Sequence, residues 1–109
     1  MILHMRQSAV INKIANIMKS LFPETKTFLY GSQARNTANP DSDIDLLILL
    51  PDSFQGQEFV KRRSQIVNKL YDVEIDECVR ISPMVLVKSI WESRKTPFTL
   101  NVMREGIAL

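Results

Sequence analysis

What is scarce in this chain narrows the reading first. One cysteine, Cys78, has no partner for an internal disulfide, and a lone thiol cannot build a thiolate metal site. One histidine, His4, lies in the apolar leader "MILHM" and is expected to be exposed and inert. That leader is too short for a signal peptide and lacks a basic flank and a cleavage site. The longest apolar run, Ile44 to Leu50, is interrupted by Asp45 and falls far short of a bilayer's thickness. No membrane partner is expected, and a reducing cytoplasm is the default location. Excess charge of one sign is also scarce: 14 Lys and Arg face 12 Asp and Glu. Without a long basic block or an aromatic platform, nucleic acid is a poor candidate partner.

With 109 residues, 45% of them hydrophobic, the chain can bury one core. The expectation is a single domain over 1–109, with no room for a second, acceptor-recognition domain. Val10, Ile14, Ile17, Met18 and Leu21 recur at helical spacing, so a helix is expected from about Arg6 to Leu21, ended by Pro23. Lys26 to Tyr30 reads as a strand, closed by Gly31-Ser32, with a helix expected from about Gln33. "NTANPDS", Asn36 to Ser42, is a loop by composition. Asp43 to Leu50 is the strongest strand, stopped by Pro51. "PDSFQGQ" then connects to a helix over about Gln57 to Leu70, with Phe59, Ile66, Val67 and Leu70 inward.

Asp72 to Arg80 alternates well enough to predict a third strand. Ser82-Pro83 has the form of a helix start, and Met84, Val87 and Trp91 then form one stripe of a helix reaching about Arg94. Thr96-Pro97 repeats that start signal, and Gly106 ends a last short helix. The fold class is therefore α/β: a small mixed sheet of three to four strands with helices packed on it.

The chemistry gathers in "FLYGSQARNTANPDSDIDLLILL". Strand side chains alternate, so Asp43, Asp45, Leu47 and Leu49 share one face. The two aspartates have Cα atoms roughly 6–7 Å apart by the strand rise. That spacing suits one hard divalent cation shared between them, or two bridged by them, and Mg²⁺ prefers such oxygen ligands. Alone, Asp-x-Asp is a common pattern that favours a solvated strand end. Two further elements strengthen the metal reading. Gly31 allows close backbone approach to a phosphate, with Ser32 able to donate to it and Arg35 one turn further on. In "YDVEIDECV", Asp76 is the candidate third carboxylate, with Glu74 competing on the same expected strand face.

Together the three pieces resemble the DNA polymerase β-like nucleotidyltransferase superfamily. More closely, "GSQARNTANPDSDIDLLILL" is similar to its minimal nucleotidyltransferase branch, whose fingerprint reads G-S-R-A-R-G, a loop, then S-D-x-D-L. Gly31, Ser32, Ala34, Arg35, Ser42, Asp43, Asp45 and Leu46 match it in place. Gln33 stands where Arg is usual, and Asn36 replaces a Gly, though Asn tolerates a left-handed backbone. The terminal "REGIAL" is a weaker echo. The resemblance implies transfer of a nucleoside monophosphate from a nucleoside triphosphate, with ATP the expected donor, to an acceptor hydroxyl. It further implies two Mg²⁺ ions held by Asp43, Asp45 and Asp76, with Gly31, Ser32, Arg35 and Ser42 on the phosphates.

Minimal members of this branch often stand beside a helical protein of the HEPN type in toxin–antitoxin pairs. A partner protein is therefore the expected acceptor, ahead of an antibiotic hydroxyl and, last, RNA. The alternative is an antitoxin that acts by binding alone, with a silent site. The Met84–Val87–Trp91 stripe and "PFTLNVM" are candidates for an interface, although such stripes are more often core. The sequence leaves a homodimer open.

Overall fold

The computed structural model describes residues 2–35 and 42–109, with the backbone alone for residues 2–7. The expectations for His4, for Asn36 and for the 36–41 part of the loop lie outside the described side chains or residues. The chain runs α1 (Ile2–Leu21), β1 (Lys26–Tyr30), β2 (Ile44–Leu50), α2 (Gln57–Glu77), β3 (Ile81–Val87), α3 (Lys88–Ser93), α4 (Pro97–Glu105) and β4 (Ile107–Ala108). The four strands form one mixed sheet in the order β3-β2-β1-β4. β1 runs antiparallel to both β2 and β4, whereas β3 lies parallel to β2. A parallel neighbour requires a crossover, and α2 supplies it.

β2 is buried on both faces beyond Asp45, because helices cover the sheet from two sides. Ile44, Leu46, Ile48 and Leu50 join Leu29, Ile81 and Val85 on the face closed by α1 and α2. From those helices come Val10, Ile14 and Met18, and Ile66, Leu70 and Val73. Burying each such aliphatic side chain contributes roughly 1.5–3 kcal/mol, so this larger cluster dominates the stability. The opposite face carries a smaller cluster of Leu47 and Leu49 with Trp91 of α3 and Val102 of α4. Asp45 shares this second face, beyond the edge of the apolar cover.

Two elements differ from the sequence reading. The expected strand over Asp72–Arg80 is helix: α2 continues to Glu77, and Cys78 caps it in the left-handed conformation at φ 52°. Ile66, Leu70 and Val73 sit at spacings of four and three on its buried side, so helical burial overrides the local alternation. Conversely, Ser82-Pro83 opens no helix. Residues 81–87 form β3, an edge strand, which is where a residue lacking an N–H is tolerated. Met84 and Val87 thus lie on a strand, and only Trp91 of that stripe is helical.

Two further boundaries use the expected residues, although Gly106 is extended at φ −63° rather than left-handed. Thr96 caps α4, its side chain accepting from the Thr99 N–H while Thr99 answers from N3, with Pro97 in the first turn. Gly106 ends that helix, donating its N–H to Val102 O at 2.7 Å. α1 begins at Ile2, four residues before the expected start. No helix among the described residues is long and apolar enough to cross a membrane.

Candidate active site

β1 and β2 bring the sequence motif together. Tyr30, the last residue of β1, pairs with Asp45 on β2, so the turn that follows β1 lands beside the carboxylate. Gly31 takes φ +75°, a conformation that side chains disfavour, and a Cβ there would collide with Asp45 Oδ2. The positive φ therefore favours glycine, and a side chain there would also displace the Asp45 carboxylate. The Arg35 N–H donates to Gly31 O at 3.1 Å, closing residues 31–35 into a single turn. The helix expected from Gln33 is absent over those residues. Ser32 lies within this turn, while Ser42 and Asp43 immediately precede β2.

Asp43 and Asp45 are both partly buried. Burial pushes the Asp45 carboxyl above its ordinary value, the Asp43 charge adds to the rise, and the Arg35 guanidinium opposes it. Burial likewise raises the Tyr30 phenol, with the neighbouring Asp45 charge contributing. Arg35 is anchored from the far side of the site: its Nη1 lies 3.1 Å from Glu105 Oε2 of α4. Gln33, at the position where the fingerprint has Arg, keeps its Nε2 enclosed and without a hydrogen-bond partner among the described residues.

A cleft of about 230 Å³ opens beside the turn, lined by Tyr30, Gly31, Arg35, Phe98, Asn101, Val102 and Glu105. Its aromatic wall is braced, since Phe98 meets Tyr30 edge-on at 5.9 Å and Trp91 at 6.4 Å. A slightly larger cavity, about 250 Å³ between α1, the start of β1 and the C-terminal Ala108 and Leu109, contains none of the motif residues except those of the strand itself.

The expected third carboxylate does not join this group. Asp76 lies exposed near the end of α2, and Glu74 accepts the Ile81 N–H at 2.9 Å. Among the described residues, no cluster of three acidic, histidine or cysteine side chains is placed to hold a metal. The strand that does lie next to β2 presents Ser82 opposite Asp45, and Ser82 Oγ donates to Asp43 Oδ2 at 3.3 Å. Of Asp43, Asp45 and Asp76, the structure brings only the first two together.

Sequence reasoning missed Ser82, Glu105 and the Tyr30–Phe98 wall. Ser82 was hidden by the helix reading of its strand. Glu105 stands 70 residues from Arg35 in the chain, a separation that no local pattern reveals.

The nucleotidyltransferase domain family matches residues 11–96 of the chain. Several solved structures share the fold. A toxin–antitoxin complex with AMP-PNP superposes with a TM-score of 0.59 at 20% identity, covering 89% of this chain and 69% of that one. A mutant of the toxin–antitoxin MntA–HpeT gives 0.59 at 22% identity, over 91% and 70%. A candidate nucleotidyltransferase from Sulfolobus solfataricus gives 0.58 at 16% identity, over 97% and 81%. No match is found among curated proteins.

Proposed function

Because this chain belongs to the nucleotidyltransferase domain family, we propose that it transfers a nucleoside monophosphate from ATP to an acceptor hydroxyl on a partner protein. The partner is proposed to be the other half of a toxin–antitoxin pair, a helical protein of the HEPN type. The observation that carries the reading is the Gly31 turn seated against Asp45, with Asp43 two residues away. Structures of similar fold that are toxin–antitoxin complexes, one of them with AMP-PNP, support the choice of donor and partner.

In this reading the new bond forms between the acceptor oxygen and the α-phosphorus. The bond from that phosphorus to the bridging oxygen breaks, pyrophosphate leaves, and the acceptor loses its proton. Asp43 and Asp45 would hold Mg²⁺, their paired carboxylates supplying the hard oxygen ligands that ion prefers. When bound, Mg²⁺ supplies positive charge against the triphosphate oxygens and the two aspartates. Gly31, lacking a Cβ, lets the triphosphate approach the backbone, and Ser32 and Ser42 donate to its oxygens. Arg35, fixed by Glu105, keeps a positive charge at the cleft, and Tyr30 with Phe98 gives the base an apolar wall. Positioning and electrostatics do most of the work in such transfers.

The second reading, an antitoxin that neutralises its partner by binding with a silent site, is favoured by one observation: Ser82 rather than an acid faces Asp43. Incubation of the protein and its partner with ATP labelled at the α-phosphate separates the two. The enzymatic reading expects label on the partner with wild type and none with Asp45→Asn. No transfer from any of the four nucleotides by folded protein, with neutralisation intact, would leave the binding reading standing.

A further inference from the structure

We infer that this site takes one divalent cation rather than two, with Ser82 standing where a second ion would need its carboxylate. The inference rests on the nucleotidyltransferase reading and deepens it. Two-metal sites set their ions about 3.5–4 Å apart, which requires negative charge on more than one side of the pair. Here Asp45 is flanked across the sheet by two neutral residues, Tyr30 on β1 and Ser82 on β3. The Ser82 hydroxyl points onto the metal-facing side, as its 3.3 Å hydrogen bond to Asp43 Oδ2 requires. It therefore occupies the position on β3 from which a carboxylate would reach over the aspartate pair. A neutral hydroxyl orients Asp43 but brings no charge to offset a second dication.

Among the described residues, the nearby acids offer no replacement. Glu74 is committed to the Ile81 N–H and Glu105 to Arg35. Asp76 is exposed on α2 and belongs to no three-group cluster among the described residues. The same arrangement places no described carboxylate beyond the metal-binding pair to take the acceptor's proton, which shifts that task toward the acceptor or the partner that carries it.

Mn²⁺ titration in the presence of a non-hydrolysable ATP analogue, followed by electron paramagnetic resonance and corrected with a nucleotide blank, tests the count without reference to turnover. Wild type is expected to load one Mn²⁺ per chain with an uncoupled six-line spectrum. Ser82→Asp is expected to load two, with spin coupling between them. Two ions on wild type overturn the inference while leaving nucleotidyl transfer intact, whereas no bound Mn²⁺ overturns both. A folded Ser82→Asp that still takes one ion removes Ser82 from the role. If that variant does not fold, Ser82→Ala serves: retention of one ion upholds the assignment, and loss of the ion makes Ser82 a ligand and overturns it.

Discussion

In protein stripped of divalent cations, Asp45→Asn is expected to raise the thermal midpoint. The substitution keeps volume and planarity, so it opens no cavity, and it removes one of two like charges placed side by side. At a separation of roughly 6–7 Å the Asp43–Asp45 repulsion is about 0.6 kcal/mol at the dielectric of water and about 2.5 kcal/mol at an effective dielectric of 20. Both residues are partly solvated, and Arg35 offsets some of the repulsion, so about 1 kcal/mol is the expected gain. For 109 residues the unfolding entropy is about 230 cal/mol/K, which converts that gain to about 4 °C.

The pH dependence has a definite sign. The folded-state pKa of Asp45 lies above its ordinary value of 3.8, so the folded protein binds the proton more tightly than the unfolded chain. Wild-type stability therefore falls as pH rises from 3.8 through the raised value, and the variant's advantage grows over that same window. It should be absent below the window, constant above it, and smaller in high salt. Adding Mg²⁺ and a non-hydrolysable ATP analogue reverses the order, since a ligand at about 100 times its Kd stabilises wild type by about 2.7 kcal/mol. Differential scanning calorimetry in chelator, repeated with ligand, measures all of this. A midpoint that drops in chelator at neutral pH would refute the argument, because it would make the Asp45 carboxylate a structural hydrogen-bond acceptor rather than a strained charge.

Gly31→Ala should cost about 1–2 kcal/mol from its positive φ alone and displace Asp45 as well, so a fluorescent ATP analogue should bind at least tenfold more weakly. Arg62→Ala should lower stability by about 1 kcal/mol at neutral pH, because Arg62 pairs with Glu24 and lies over the Phe22 ring at 4.8 Å. The Arg62 hydrogen bond holds the Glu24 carboxyl below its ordinary 4.5, so that contribution is present above 4.5 and fades as pH falls through the lowered value. Urea midpoints across that range should show wild type and variant converging. Trp91→Ala, which empties a buried position in the smaller core, should cost about 3–5 kcal/mol by urea denaturation.

The parts of the site visible in the sequence are those whose chemistry is local. Gly31 and Ser32 follow a recognisable strand, and the alternation from Asp43 to Leu50 places both aspartates on one face without any knowledge of neighbours. The strand expected over Asp72–Arg80 is helix because "DVEIDECV" satisfies two periodicities at once. Val73 and Ile75 alternate with acids as in a strand, yet Val73 also continues the helical series from Ile66 and Leu70. The helix stop gave no signal, since Cys78 rather than glycine adopts the left-handed cap. Ser82-Pro83 then misled in the opposite direction, because proline at a helix start and proline on an edge strand look alike before strand order is known. The β-branched and aliphatic run from Met84 to Val87 was the better guide. Arg35–Glu105 and the Phe98 wall depend on long-range packing and had no local trace.

The ring chain that braces the cleft gives the protein an optical property. Its single tryptophan, Trp91, is buried, donates its indole N–H toward Met103 Sδ at 3.3 Å, and touches the edge of Phe98, which in turn meets Tyr30 beside Asp45. Any shift of α4 as the cleft fills changes the sulfur contact and the packing around one chromophore, with no second indole to dilute the signal. Intrinsic emission from the unlabelled protein is therefore expected to change wherever α4 moves against Trp91.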